Sequence, residues 1–148
     1  RSPSRGLGDV YKRQVFDIAG SAMSAQSVRL NTVASNMANA DSVSSSVEKT
    51  YHARRPVFAA QLDQAMSDKQ ASVGVDVKGI VESDAPLLKE YNPNHPMADK
   101  DGFIFKPNVN MVEEMADMIA ASRSYQTNVQ VADAAKKMLQ QTLGLGKS

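Results

Sequence analysis

From Met111 to Leu143 nothing in the sequence interrupts a helix: there is no proline, no glycine, and apolar residues return at helical spacing. Such a run of about 33 residues spans roughly 50 Å at 1.5 Å per residue. A compact domain of 148 residues has a gyration radius of about 15 Å and a diameter near 38 Å. An unbroken helix of this length overruns a globule made from the same chain. The simplest solution is an elongated subunit in which the helix lies beside a second one.

The C-terminal segment, residues 108–148, has a well-marked start. After Lys106-Pro107-Asn108, Asn110 is placed to cap the helix with Glu113 at the third helical position. Glu113, Glu114 and Asp117 lie near the N-terminus and Lys136 and Lys137 near the C-terminus, as the helix dipole favours, with Gly144 and Gly146 as stops. Met111, Met115, Met118, Tyr125 and Leu139 mark an apolar seam along it, continued by Val129, Ala132 and Leu143 and interrupted at Ser122 and Lys136. The partner is expected at the other end of the chain. In residues 15–41 Phe16, Met23, Leu30 and Met37 recur every seven residues, with Gly20, Ser27 and Ala34 as a second set of small residues. Large residues alternating with small ones let a neighbouring helix approach closely. Periodicity alone does not separate a coiled-coil seam, within the subunit or to a near neighbour, from an amphipathic helix on its own core.

The opposite face of the N-terminal helix carries Asn31, Asn36 and Asn39, and between Val15 and Ala40 only Asp17 and Arg29 are charged. An amide donates and accepts at once, so it can satisfy several neighbours when enclosed. These three, with Arg123 and Asn128 of the C-terminal helix, are candidates for polar contacts between subunits. Exposed surface or a helix cap is the alternative for each.

The remainder of the chain fits around these helices. Residues 1–14, RSPSRGLGDVYKRQ, are basic and lack an apolar period, and are read as an extraneous extension outside the fold, the alternative being a genuine basic tail. Residues 42–107 form a loop-rich, partly β segment: DSVSSS is a polar connector, Val73, Val75 and Val77 alternate as in a strand, Leu87 to Tyr91 is a second strand, and an Asp101-Gly102 turn precedes a third at Phe103-Ile104-Phe105. The fold class is therefore mainly α, with long terminal helices paired as a coiled coil around a small hairpin-like middle.

Catalytic chemistry finds no footing. His52 and His95 are isolated, and Asp99 and Asp101 lack the ligand ladder of a calcium loop. No phosphate-binding glycine loop or nucleophile elbow is present. Glu113 and Glu114 are explained by the helix start, and Arg54-Arg55-Pro56 is a small basic spot. No catalytic, metal or cofactor site is expected, and no small-molecule substrate. A net charge of +1 without basic clustering argues against nucleic acid, the absence of cysteine removes thiol chemistry, and no apolar run of about 18 residues is available to span a membrane. The N-terminus also lacks a secretory signal pattern.

Both ends carry motifs that together resemble the flagellar axial proteins of bacteria, which build rod and hook. SAMSAQSVRLNTVASNMANADS, residues 21–42, is similar to the family's N-terminal motif, with Asn36, Ala38, Asn39 and Ala40 in its asparagine-alanine pattern. NVNMVEEMADMIAASRSYQTNVQVADAAKKMLQQTLGL, residues 108–145, resembles the matching C-terminal helix, with Asn110, Glu114, Met115, Ser122, Arg123, Tyr125 and Asn128 in motif positions. The chain departs from many relatives after Asn39, where it continues Asp41-Ser42-Val43-Ser44-Ser45. This departure, the short middle and the loop Asn92 to Asn110 resemble the proximal rod type. The resemblance implies a non-enzymatic subunit that assembles with copies of itself and other rod proteins into a helical tube transmitting torque. It also implies contacts with membrane ring and export apparatus proteins, and a periplasmic place in the basal body reached through type III export without signal cleavage. A soluble coiled-coil adaptor or export chaperone is the alternative that periodicity serves equally well.

Overall fold

The computed structural model describes residues 3–60 and 74–145. Its elements are α1 (Pro3–Ala38), β1 (Arg54–Ala60), β2 (Val75–Glu82), β3 (Leu88–Tyr91), β4 (Phe103–Lys106) and α2 (Met111–Leu145). Two long terminal helices thus flank two small sheets, β1 with β2 and β3 with β4. Val73 lies outside the described residues. Helical structure also runs through residues 3–14, which the sequence pattern left out of the fold; there Lys12 Nζ donates to the Met138 carbonyl at 3.5 Å and to Thr142 Oγ1.

The helix boundaries follow from local chemistry. At the start of α2 the Asn110 side-chain oxygen accepts the amides of Val112 at 3.1 Å and Glu113 at 3.4 Å, as a cap should. Glu113 does not complete a reciprocal capping box, because its carboxylate turns to Arg55 at 2.5 Å. At the end of α1 the Asn39 amide donates to the Ser35 carbonyl at 2.8 Å, and Ser42 folds back onto the Asn39 carbonyl.

β1 escaped the sequence reading because RRPVFAA contains a proline and lacks apolar alternation, the two signals by which strands are recognised. β3 and β4 pair antiparallel from Leu88 opposite Lys106 to Tyr91 opposite Phe103. The turn between them uses Gly102 at φ +84°, where a Cβ would meet the Tyr91 ring at 3.0 Å and Pro93 at 3.1 Å. Asp99 Oδ1 closes this turn by accepting the amides of Asp101 and Phe103 at 2.9 and 2.8 Å. The DSVSSS stretch is not wholly free, since Ser44 bridges to Phe105 through two backbone hydrogen bonds.

The chain divides into two compact units: Arg1–Ser27 with Phe58–Lys78 and Ala121–Ser148, and Val28–Val57 with Gly79–Ala120. In the first, the buried described residues are Ala19, Ala25, Gly74, Ala121 and Ala135. In the second, the interior contains Val33, Ala53, Ile104 and Pro107 together with the polar Thr32, Asn36, Ser44, Thr50 and Glu114. Among the described residues no helix is long and apolar enough to cross a membrane.

Candidate functional site

The most densely bonded place in the second unit is centred on Asn36, which is 1% exposed. Its side-chain oxygen accepts the Tyr51 hydroxyl at 2.8 Å and the Arg54 amide at 2.9 Å, while its NH2 donates to the Arg54 carbonyl at 2.8 Å. One side chain of α1 therefore imitates a strand partner for Arg54, which opens β1. Ser35 adds a hydrogen bond to the Tyr51 hydroxyl at 3.1 Å, and the Arg54 guanidinium lies 5.5 Å above the Tyr51 ring. Asn108, just before α2, repeats the device: its oxygen accepts the Ala53 amide at 2.7 Å and its NH2 donates to the carbonyls of Ser83 and Ala85. Two asparagines thus hold the segment around residues 50–55 and the end of β2 in place. Each satisfies main-chain groups that would otherwise be enclosed without partners.

Glu114 of α2 belongs to the same cluster and is 3% exposed. Burial pushes its carboxyl above the ordinary carboxylate range; the hydrogen bond from Asn36 opposes this, and the negative charge of Asp117 adds to it. Around it the ion pairs are already made: Arg29 with Asp117 at 2.9 Å and Arg55 with Glu113. Both are half exposed, so each contributes at most about 1 kcal/mol.

The seven-residue repeat is present, but small and polar residues fill its buried positions. On α2 the inward line runs Glu114, Ala121, Asn128 and Ala135, all seven apart and buried or half-buried. On α1 it runs through Ala25 and Thr32, seven apart, with Asn36 following one turn after Thr32. Ala19 and Val33 of α1 are buried as well, and Met37 and Leu30 lie only about 40° and 60° around the helix from Val33. None of Phe16, Met23, Leu30 and Met37 is buried, and Phe16 is 50% exposed. Met111, Met115, Met118 and Tyr125 are all exposed, between 39 and 47%, and Leu139 is half-buried. A Cβ at Gly20 would meet nothing within 4 Å, so no close helix approach occurs at that small residue. Phe16 and Leu139 come together with the buried Ala135 in the lining of one cavity, so the small residue leaves room for large ones beside it.

The polar candidates divide as well. Asn31 and Arg123 are exposed. Asn39 and Asn128 each donate to a carbonyl of their own helix, those of Ser35 and Ser124, at 2.8 Å. Asn36 is not available to a neighbouring subunit, because its amide is filled within the chain. Sequence reasoning missed Tyr51, Arg54 and Asn108. Asn108 had a signal: an asparagine between a proline and a helix cap is well placed to bond main chain on both sides.

Among the described residues no group of three or more His, Cys, Asp or Glu is placed to hold a metal ion. What the arrangement offers is mechanical: a loop locked to two helix ends, with large apolar side chains turned outward.

Comparison with known proteins finds matches at both ends and along most of the chain. The family described as "Flagella basal body rod protein" matches residues 16–44, and "Flagellar basal body rod FlgEFG protein C-terminal" matches residues 100–145. Over 133 residues the chain is 48% identical to the flagellar basal-body rod protein FlgC of Salmonella typhimurium and 47% identical to that of Escherichia coli, covering 90% of this chain and 96% of each relative. The FlgC of Bacillus subtilis is 35% identical over 144 residues, with 89% and 96% covered. These relatives do not favour the adaptor or chaperone reading.

Proposed function

The chain belongs to the flagellar basal-body rod protein family, with the FlgC proteins as its relatives, and is a structural, non-enzymatic subunit that assembles with other rod proteins in the basal body; from that premise we propose how its surfaces divide the labour of assembly. The outward apolar residues of α2, Met111, Met115, Met118 and Tyr125, together with the half-buried Leu30 and Met37 of α1, pack against helices of neighbouring subunits in a helical tube that transmits torque. The observation carrying this reading is on α2: Met111, Met115, Met118 and Tyr125 are left 39 to 47% exposed, while the buried residues of that helix are Glu114, Ala121 and Ala135. Burying a methionine or tyrosine gains about 1.5 to 3 kcal/mol, which the isolated chain leaves unrealised. The helices supercoil in the assembled tube, where a seven-residue repeat favours a left-handed coiled coil.

Asn31 and Arg123 supply polar contacts between subunits, being the two sequence candidates that make none of the within-helix or loop contacts described above. The same reading places the subunit in the periplasmic part of the rod, reached through the flagellar type III apparatus without signal cleavage, with membrane ring and export apparatus proteins as further partners. Complementation of a rod-deficient strain, followed by fractionation of basal bodies, tests it. The chain should restore swimming and co-purify with basal bodies; recovery only in the soluble fraction contradicts it.

A further inference from the structure

A carboxyl group with no ion pair of its own is an unusual thing to enclose, and among the described residues Glu114 is such a group. It is 3% exposed, and its Oε2 has no hydrogen-bond partner among the described residues. Its polar neighbour from α1 is Asn36, whose oxygen is already committed to Tyr51 and Arg54 and whose NH2 also serves the Arg54 carbonyl. Arg29 of α1 is held by Asp117. From the loop side, Arg55 is held by Glu113, and Arg54 reaches toward Glu82 at 3.9 Å. Along α2 the nearest charges, Glu113 and Asp117, are both negative. Each of these cations is thus paired with another carboxylate, and an ionised Glu114 is compensated only by the Asn36 amide and by the charge of Arg55, which Glu113 already holds. An enclosed, under-compensated carboxylate is costly, a cost removed by taking up a proton or by opening the site to water.

We propose that Glu114 makes the closure of the residue 50–55 segment over α1 and α2 depend on pH: with a proton on Glu114 the segment stays locked on Asn36, and as Glu114 ionises the segment is released.

The sign follows from linkage. When the segment opens, Glu114 meets water and titrates in the ordinary carboxylate range, about 4 to 4.5. When it is closed, burial raises its pKa, the charges of Asp117 and Glu113 add to this, and the Asn36 hydrogen bond and the charge of Arg55 offset it only in part. The closed state therefore holds the proton more tightly. Its extra stability is fully present below the ordinary range and is lost as pH rises through the closed-state value. Segment opening exposes Ala53 and the Asn36 amide, so the switch would act on an element that both helices share.

Hydrogen exchange of the Arg54 amide in the full chain reads this directly, because that N–H is bonded to Asn36. Expressed as protection over the intrinsic rate at each pH, it should fall as pH rises above about 4.5, by up to about tenfold per pH unit, the limit for one proton. Glu114→Gln should hold the acid-side protection across the range. Glu113→Gln alters a half-exposed residue and frees Arg55, so it should move the fall to lower pH. The inference is overturned if Glu114→Gln follows the wild-type pH dependence, or if Arg54 is unprotected at every pH. Should Glu114→Gln fail to fold, Glu113→Gln decides: an unmoved fall overturns it and a shift to lower pH supports it.

Discussion

The two compact units share the same helices but hold themselves together differently. In the unit formed by residues 1–27, 58–78 and 121–148, the buried described residues are four alanines and a glycine. In the other unit, Asn36, Thr32, Thr50, Ser44 and Glu114 are buried beside Val33, Ile104 and Pro107, and side chains bond main chain across elements. An alanine contributes roughly 0.8 kcal/mol per buried methyl-sized group, so the alanine contact gains little by itself. The polar cluster also gains modestly from each bond, but it fixes one arrangement, because every alternative leaves enclosed groups without partners. One region buries small side chains, and the other fixes its shape through hydrogen bonds.

That contrast is broken most severely by placing charge on the outward apolar surface. Met118→Asp or Leu30→Asp should abolish rod assembly and motility, since several neighbours would have to enclose a carboxylate. Met118 is 39% exposed in the isolated chain, so unfolding of the Met118→Asp monomer should shift by less than about 1 kcal/mol. Normal swimming in both variants would leave the outward surface without its proposed role.

Next in size is the loss of the asparagine at the centre of the polar cluster. Asn36→Ala should cost about 2 to 4 kcal/mol in urea unfolding, because it removes the partner of the Arg54 amide and of the Arg54 carbonyl and leaves the Tyr51 hydroxyl with Ser35 alone. A change below about 0.5 kcal/mol would mean that water replaces the amide freely. The smallest effect concerns the helices themselves. Helical amides around Ala121 to Ala135 should exchange with solvent at least about tenfold faster than those around Thr32 to Asn36 in the monomer, since they rest on alanine contacts. Equal protection would erase the distinction between the two units.

Much of this architecture was legible in the sequence. Long uninterrupted periods and the Asn110 cap announced the helices, and Asp101-Gly102 announced the hairpin turn. The seven-residue repeat was legible too, but not whether its apolar line meets the chain's own helix or a neighbour's. Phe16, Met23, Leu30 and Met37 are the most apolar line on α1, and hydrophobicity serves either partner equally. Asn36 was misleading: an amide on a helix surface looks ready for a partner, and only the return of residues 51–54 to that point in space shows that the partner is internal. Tyr51 and Arg54 carried no local pattern, because their roles depend on that long-range return. Glu114 looked like an ordinary acidic residue at a helix start until the loop closed over it.

The division between an inward small-residue line and an outward large-residue surface can be measured at one position. The chain has no cysteine, so Met118→Cys introduces a single thiol whose reaction with a maleimide can be followed in the dilute monomer and in purified basal bodies. Rapid labelling in the monomer and strong protection in basal bodies is the expected result. Protection already in the monomer, or equal labelling in both, would contradict it.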